Sequence, residues 1–321
     1  MFRIEGDSSL YNRFLKEWNN SKSYIKAHTS GSTGKPKEIS LAKEDLLASA
    51  RKTTRYFNLT EDSVLYSPLS TDYIAGKMML VRAIVANCTV CFEQPSSEPL
   101  KHLDSFKVEK IDLLPIVPAQ INSLTKNPVA EKVLKSLLIG GSPMTMEQEN
   151  ALTTKPWKSV VSYGMTETCS HVALRKIGDN AYHALEGITF STDQRGCLVI
   201  ESKDFSWNTI ITNDNVNLLS DKSFEWLGRY DNVIITGALK VHPELMERKI
   251  EKLIAVPFYI SGEEDQKWGE RVILTVEDPE GQINDNQLND QLKLILQPHE
   301  CPKEIRHVSK IALTASGKIK R

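Results

Sequence analysis

Thr29-Ser30-Gly31-Ser32-Thr33-Gly34-Lys35-Pro36-Lys37 packs hydroxyl side chains, two glycines and two lysines into one short run. It follows Tyr24-Ile25-Lys26-Ala27-His28, which reads as a strand. Glycine lets a backbone approach an anion closely and turn its N–H groups toward it. Hydroxyls donate to phosphate oxygens, and Lys35 and Lys37 add charge-assisted bonds. The run therefore suits a polyphosphate. A Walker loop needs four residues between its glycines and a Ser or Thr after the lysine. Here two residues separate Gly31 from Gly34, and Pro36 follows Lys35, so that reading fails. A solvated turn uses the same residue types and stays open on this stretch alone.

On either side of this run, strand-like and helical patterns alternate from Tyr24 to Tyr163. Lys43 to Phe57 has helical spacing, with Leu46, Leu47, Ala50, Thr54 and Phe57 near one face. Tyr73 to Val85 reads as a second helix. Ser63–Tyr66, Cys88–Phe92, Asp112–Val117, Ser136–Ile139 and Ser159–Tyr163 read as strands. Such alternation implies a layered α/β core. After Tyr163 short β runs dominate, at Cys197–Glu201, Ile210–Thr212, Val216–Leu219 and Phe224–Leu227. A smaller α+β unit then follows, with helices over Pro243–Leu253 and Asp285–Leu296. The change in texture places a domain boundary after residue 230. That gives a domain over 1–230 and a second over 231–321.

Composition bounds the function classes. Forty basic residues face 41 acidic ones, a net charge of −1, so nothing global favours nucleic acid or an anionic membrane. No apolar run reaches 18 residues, and the first residues hold no apolar signal core. Five cysteines form no disulfide framework, which fits a reducing cytoplasm. Cys88-Thr89-Val90-Cys91 has no second ligand pair at zinc spacing and reads as buried thiols.

Thr29 to Lys37 closely resembles the phosphate loop of the adenylate-forming superfamily, which includes the acyl-CoA synthetases. Other stretches resemble that family's motifs in the same order. Ser162-Tyr163-Gly164-Met165-Thr166-Glu167-Thr168 resembles the central motif. The resemblance implies Tyr163 on adenine, Thr166 at the α-phosphate and Glu167 as ligand to Mg²⁺. Gly140 and Gly141 resemble the turn lining the adenine pocket. Thr212-Asn213-Asp214 is similar to a family Thr-Gly-Asp, which assigns Asp214 to the ribose hydroxyls. Arg229 resembles the arginine of the ribose–phosphate region, and Asp231 matches the hinge. Gly237 lies in a stretch that lines the thiol channel in relatives, where a hairpin turn is the plainer reading. Lys318, in Ser316-Gly317-Lys318, falls on the adenylation lysine.

The resemblance implies an acid–CoA ligase with a large layered α/β N-terminal domain and a small mobile α+β C-terminal domain. Its chemistry needs ATP, Mg²⁺ and coenzyme A, with a small carboxylic acid as substrate. Only 28 residues precede the phosphate loop, so the N-terminal domain is expected to be truncated there. A homodimer would cover surface thereby left bare. The compact N-terminus and the run Ser162 to Ser170 look most like the o-succinylbenzoate–CoA ligases of menaquinone synthesis, whose substrate carries two carboxylates. Thr71, Lys77, Arg82, Ser170 and His171 are the candidates for its pocket, chosen by their closeness to motifs. Two alternatives stay open. One is a ligase for another aryl or short acyl acid, or for a carrier protein. The other is a non-catalytic nucleotide- or acyl-binding relic.

Overall fold

The computed structural model describes residues 1–28, 37–313, 319 and 321. The chain divides into two compact units. The first is Met1–Phe190 with Ile200–Ile210 and Ser220–Ser223; the second is Ser191–Val199 with Ile211–Leu219 and Phe224–Arg321.

In chain order the first unit begins β1 (Arg3–Gly6), α1 (Asn12–Trp18), β2 (Tyr24–His28), β3 (Glu38–Ala42), α2 (Lys43–Phe57) and β4 (Val64–Ser67). It continues α3 (Ile74–Ala86), β5 (Thr89–Phe92), β6 (Leu114–Ile116), α4 (Ile121–Thr125) and α5 (Pro128–Val133). Then come β7 (Ser136–Ile139), α6 (Met146–Thr153), β8 (Lys158–Gly164), β9 (His171–Lys176) and β10 (Ala181–Ala184). Strands β1, β5 and β4 form a parallel sheet. Strands β6, β7 and β8 are also parallel, and β9 and β10 then run antiparallel beside them. All four residues of β7 are buried, as expected of a strand covered on both faces. The buried Leu114, Ile116, Leu137, Ile139, Leu152 and Trp157 pack in one apolar cluster.

Two helices matter for the site. Helix α2 buries Leu46, Ser49, Ala50, Thr53 and Phe57, spaced three or four apart. Helix α3 is buried without a break from Gly76 to Ala83, so it is apolar nearly all round. Each ends at an asparagine in the left-handed region, Asn58 at φ 52° and Asn87 at φ 54°. Asparagine accepts that conformation at lower cost than most residues, which fixes both stops. The two helices pack side by side. Residues 200–210 are tied to α2 by Lys52, whose ammonium meets Asp204 at 2.5 Å, and by Asp45, which accepts from the Ser206 N–H at 2.8 Å.

Next along the chain are β11 (Thr189–Thr192), β12 (Cys197–Glu201), β13 (Thr209–Ser220) and β14 (Ser223–Arg229). The last three are neighbours in that order. The sequence pattern predicts two short runs where β13 is one continuous strand. The polar Asn213-Asp214-Asn215 breaks the apolar pattern without breaking the ladder. The second unit continues with β15 (Ile234–Thr236), β16 (Leu239–Val241), α7 (Pro243–Ile250), β17 (Phe258–Asp265), β18 (Gly269–Glu277), α8 (Asp285–Ile295) and β19 (Glu304–Val308). Ile234, Met246, Ile250, Ile260, Leu274, Leu288 and Leu292 make its core.

Strands β15 and β16 pair antiparallel out to Thr236 and Leu239, leaving Gly237-Ala238 as a two-residue connection. Both have positive φ, 56° and 64°. That is the twist a tight hairpin needs, with glycine favoured and alanine strained. A left-handed alanine costs about 1–2 kcal/mol, and a glycine returns part of that through unfolded-state entropy, about 0.4–1 kcal/mol. Ala238→Gly should therefore stabilise the chain by a few tenths to about 1 kcal/mol. Urea denaturation checks it, and a loss of stability would contradict the strained-turn reading.

Candidate active site

Thr29, Ser30, Gly31, Ser32, Thr33, Gly34 and Lys35 lie outside the described residues, as does Lys318. Strands β2 and β3 bracket the first group and pair up to His28 and Glu38; Lys37 is described and exposed.

In the first unit, the ends of β7 and β8 come together. Gly140 follows β7, and a Cβ there would stand 2.5 Å from the Ser162 Oγ. That hydroxyl donates to the Ile139 carbonyl at 2.9 Å. Gly141 has φ 100°, a conformation that excludes most side chains. The two glycines leave bare backbone beside Ser162, a cradle that side chains would fill.

Beyond Ser162 and Tyr163 the chain makes a pinned turn. Gly164 pairs with His171 across a register shift. A Cβ on Gly164 would collide with the Ser170 carbonyl and approach the His171 Cα to 2.5 Å. Thr168 closes the turn. Its Oγ1 accepts from the Met165 N–H at 2.9 Å and donates to the Ser170 carbonyl at 2.6 Å or the Met165 carbonyl at 2.9 Å. Cys169 takes φ 64° and donates its N–H to the Thr166 carbonyl at 3.0 Å. The result buries Thr166 and leaves the Glu167 carboxylate in solvent. Tyr163 stands partly exposed beside the turn, edge-on to Tyr182 at 5.7 Å. Magnesium takes one or two carboxylates and completes its shell with phosphate and water oxygens. An exposed Glu167 fits that demand. No cluster of three potential metal ligands exists among the described residues.

The five candidates for an acid pocket separate. Thr71 donates to the Leu10 carbonyl at 2.5 Å. Lys77 donates to the Lys26 carbonyl at 3.0 Å and meets Glu17 at 3.4 Å. Arg82, Ser170 and His171 instead meet one another. The Arg82 Nη2 donates to Ser170 Oγ at 2.8 Å and lies 3.5 Å from His171 Nδ1. His171 Nε2 is 3.1 Å from Thr53 Oγ1 on α2, which reaches the Ser49 carbonyl at 3.2 Å. Sequence reasoning overlooked Thr53, because a threonine inside a helical pattern carries no signal of a distant partner.

In the second unit, Asp214 is buried on β13. Its carboxylate accepts from the Trp226 indole N–H at 3.2 Å and stands 3.5 Å from Arg229. Arg229 also reaches Asp231 at 3.5 Å, and Asn213 donates to Asp231 at 3.4 Å. Asn213 in turn accepts from Arg195 at 3.0 Å, whose guanidinium lies 5.1 Å from the Tyr230 ring centre. Arg195 was not legible as part of this group, since it lies 17 to 20 residues from the strand it buttresses. Gly237 sits against Trp268, which a Cβ would approach to 3.2 Å.

Burial, with the Arg82 cation beside it, holds the His171 imidazole well below the usual histidine range. Native His171 is therefore neutral, whereas the unfolded chain takes up its proton below about pH 6.5. The unfolded state binds more protons there, so this contribution is intact above pH 6.5 and is lost as pH falls below it. His171→Asn should flatten the acid limb of stability by up to one proton, about 1.4 kcal/mol per pH unit. Urea titrations of both proteins from pH 7.5 to 5 test this; parallel limbs would show a histidine that titrates normally.

A sequence profile described as AMP-binding enzyme matches residues 15–193. The 2-succinylbenzoate–CoA ligase of Listeria innocua is 26% identical over 331 aligned residues, covering 95% of this chain and 70% of that one. An acyl-CoA synthetase (AMP-forming)/AMP-acid ligase II-like protein from Dyadobacter fermentans superposes with a TM-score of 0.63 at 30% identity, over 98% of this chain and 92% of that one. The o-succinylbenzoate coenzyme A synthetase of Bacillus subtilis, in complex with ATP and magnesium, has a TM-score of 0.78 at 20% identity, over 92% of this chain and 68% of that one. The mixed α/β architecture is that of adenylate-forming enzymes, and the chain belongs to the AMP-binding enzyme family.

Proposed function

We propose that this chain is an AMP-forming acid–CoA ligase and that its acid is o-succinylbenzoate. The observation that carries the reading is the turn from Gly164 to Ser170. It holds the Glu167 carboxylate in solvent, with Thr166 packed behind it and bare glycine backbone beside Ser162. Family membership supports the class of reaction. The acid follows the Listeria relative, which is similar along nearly the whole chain.

In the first step a substrate carboxylate oxygen attacks the α-phosphorus of ATP, and the bond to pyrophosphate breaks. Thr29, Ser30, Gly31, Ser32, Thr33, Gly34, Lys35 and Lys37 would hold the β- and γ-phosphates. Gly140, Gly141, Ser162, Tyr163 and Gly164 would receive the adenine, Asp214 the ribose hydroxyls, and Arg229 the ribose–phosphate region. Thr166 would donate to the α-phosphate, and Lys318 would stabilise the charge that develops there. Bound Mg²⁺ neutralises phosphate charge, and Glu167 would be its protein ligand. No protein nucleophile is needed, because position and electrostatics dominate such transfers. In the second step the coenzyme A sulfur attacks the acyl carbon and AMP leaves. Asp231 would be the hinge for residues 231–321, and Gly237 would face the thiol channel.

The acid would lie where α3 meets the end of the turn. Thr71 and Lys77 would stand toward the start of that wall. Ser170 is partly exposed on it, and Arg82 and His171 are buried behind. A cytoplasmic location and a homodimer complete the proposal; no helix among the described residues is long and apolar enough to cross a membrane.

ATP–pyrophosphate exchange across a panel of carboxylic acids tests the proposal. Exchange is expected with o-succinylbenzoate, and Lys318→Ala should lower it by about 10²-fold or more. Exchange with a different acid would keep the ligase and replace the substrate. Silence with every acid, despite ATP binding, would overturn the ligase reading.

A further inference from the structure

Arg82 is 1% exposed and completely enclosed. Among the described residues no carboxylate pairs with it. Its guanidinium meets Ser170 Oγ, His171 Nδ1 and the weakly accepting Met79 Sδ at 3.3 Å, while Nε has no partner. An uncompensated buried charge is costly, and an apolar residue of like size is often as stable or more so. Folding stability alone therefore gives no reason for an arginine here.

The hydrogen bonds point to another role. Arg82 can only donate, and the Ser170 hydroxyl, which accepts from Arg82, stands 3.3 Å from the same ring nitrogen with its own hydrogen to give, so His171 Nδ1 is the unprotonated nitrogen and Nε2 carries the hydrogen. Nε2–H then donates to Thr53 Oγ1, and the Thr53 hydroxyl donates to the Ser49 carbonyl. One imidazole in one tautomer thus bridges α3 and α2. Its backbone is the residue that pairs with Gly164, and Ser170 ahead of it accepts from both Arg82 and the Thr168 hydroxyl. The turn bearing Thr166 and Glu167 is closed by Thr168 at one side and anchored to two helices at the other.

We propose that Arg82 is a positioning residue for adenylation. It acts through Ser170 and the His171–Thr53 relay to fix the turn that presents Thr166 and Glu167, and it touches no substrate itself. The inference rests on the ligase reading for the roles of those two residues. A displacement of about 1 Å in such groups costs about 10²-fold in rate.

The test compares wild type with Arg82→Met, Arg82→Lys and Thr53→Val. The two acids are o-succinylbenzoate and 4-oxo-4-phenylbutanoate, which lacks the ring carboxylate. Arg82→Met should keep its melting temperature and lose about 10–100-fold in the kcat of exchange, equally for both acids, with acid KM within twofold. Arg82→Lys should recover part of that loss, and Thr53→Val should show a milder version of it. Nitrogen-15 NMR should find His171 as the Nε2–H tautomer in wild type and a mixture in Arg82→Met. Full activity in a folded Arg82→Met would overturn the proposal. So would a rise in KM confined to o-succinylbenzoate, which would make Arg82 a direct receptor of the second carboxylate. If wild type is silent with both acids, the ligase reading fails on its own. Mg·ATP affinity measured by calorimetry then decides this one: a loss in Arg82→Met supports it, and an unchanged affinity overturns it.

Discussion

The pairing of Gly164 with His171 is the constraint from which the candidate site is built. Strand β8 arrives parallel to β7 and must reverse into the antiparallel β9. The reversal occupies six residues, and its mouth is so narrow that only a glycine fits opposite the Ser170 carbonyl. A turn that tight cannot satisfy its own backbone through a ladder. Thr168 does so instead, with one hydroxyl serving an N–H and a carbonyl within the turn. Glu167 is left pointing outward, with Thr166 buried behind it.

The same narrowness makes the turn sensitive to what lies behind it. His171 begins β9, and its ring enters the space between α2 and α3. Both helices are long enough to bury a continuous face, and each is stopped cleanly by a left-handed asparagine. Their side-by-side packing sets where Thr53 and Arg82 stand, and these two residues set the ring. A neutral imidazole suits that place, since it offers one acceptor to a cation and one donor to a hydroxyl. An imidazolium would face Arg82 with like charge.

The second unit solves a related problem differently. Asp214 interrupts an apolar strand with a buried carboxylate, and Trp226 and Arg229 on the neighbouring β14 satisfy it. Asn213 and Arg195 brace the next layer toward Asp231. The sequence pattern reads this region as two broken runs, because periodicity registers Asn and Asp as interruptions. Cross-strand partners turn the interruption into a continuous ladder. Strand β17 escapes the same kind of reading: Gly262 and the acidic Glu263-Glu264-Asp265 look like a loop. Its pairing with β18 sets Glu263 opposite Arg271 and gives the charge a partner.

Local elements, and the order of the motifs, are written in the residues themselves. The 43–57 helix, the 24–28 strand and the 136–139 strand follow from periodicity and stop signals, and the structure has them at those bounds. The family also follows from sequence, because its motifs are short runs whose residue types the chemistry demands, set in a fixed order. Which polar groups meet is set by packing. Arg82 and Lys77 sit on one helix and look alike in sequence, yet Lys77 is held by Glu17 and the Lys26 carbonyl while Arg82 reaches the turn. Thr53 is 118 residues from His171, and Arg82 is 89 away. Such contacts depend on how two helices pack against a strand end, and no spacing along the chain encodes that distance.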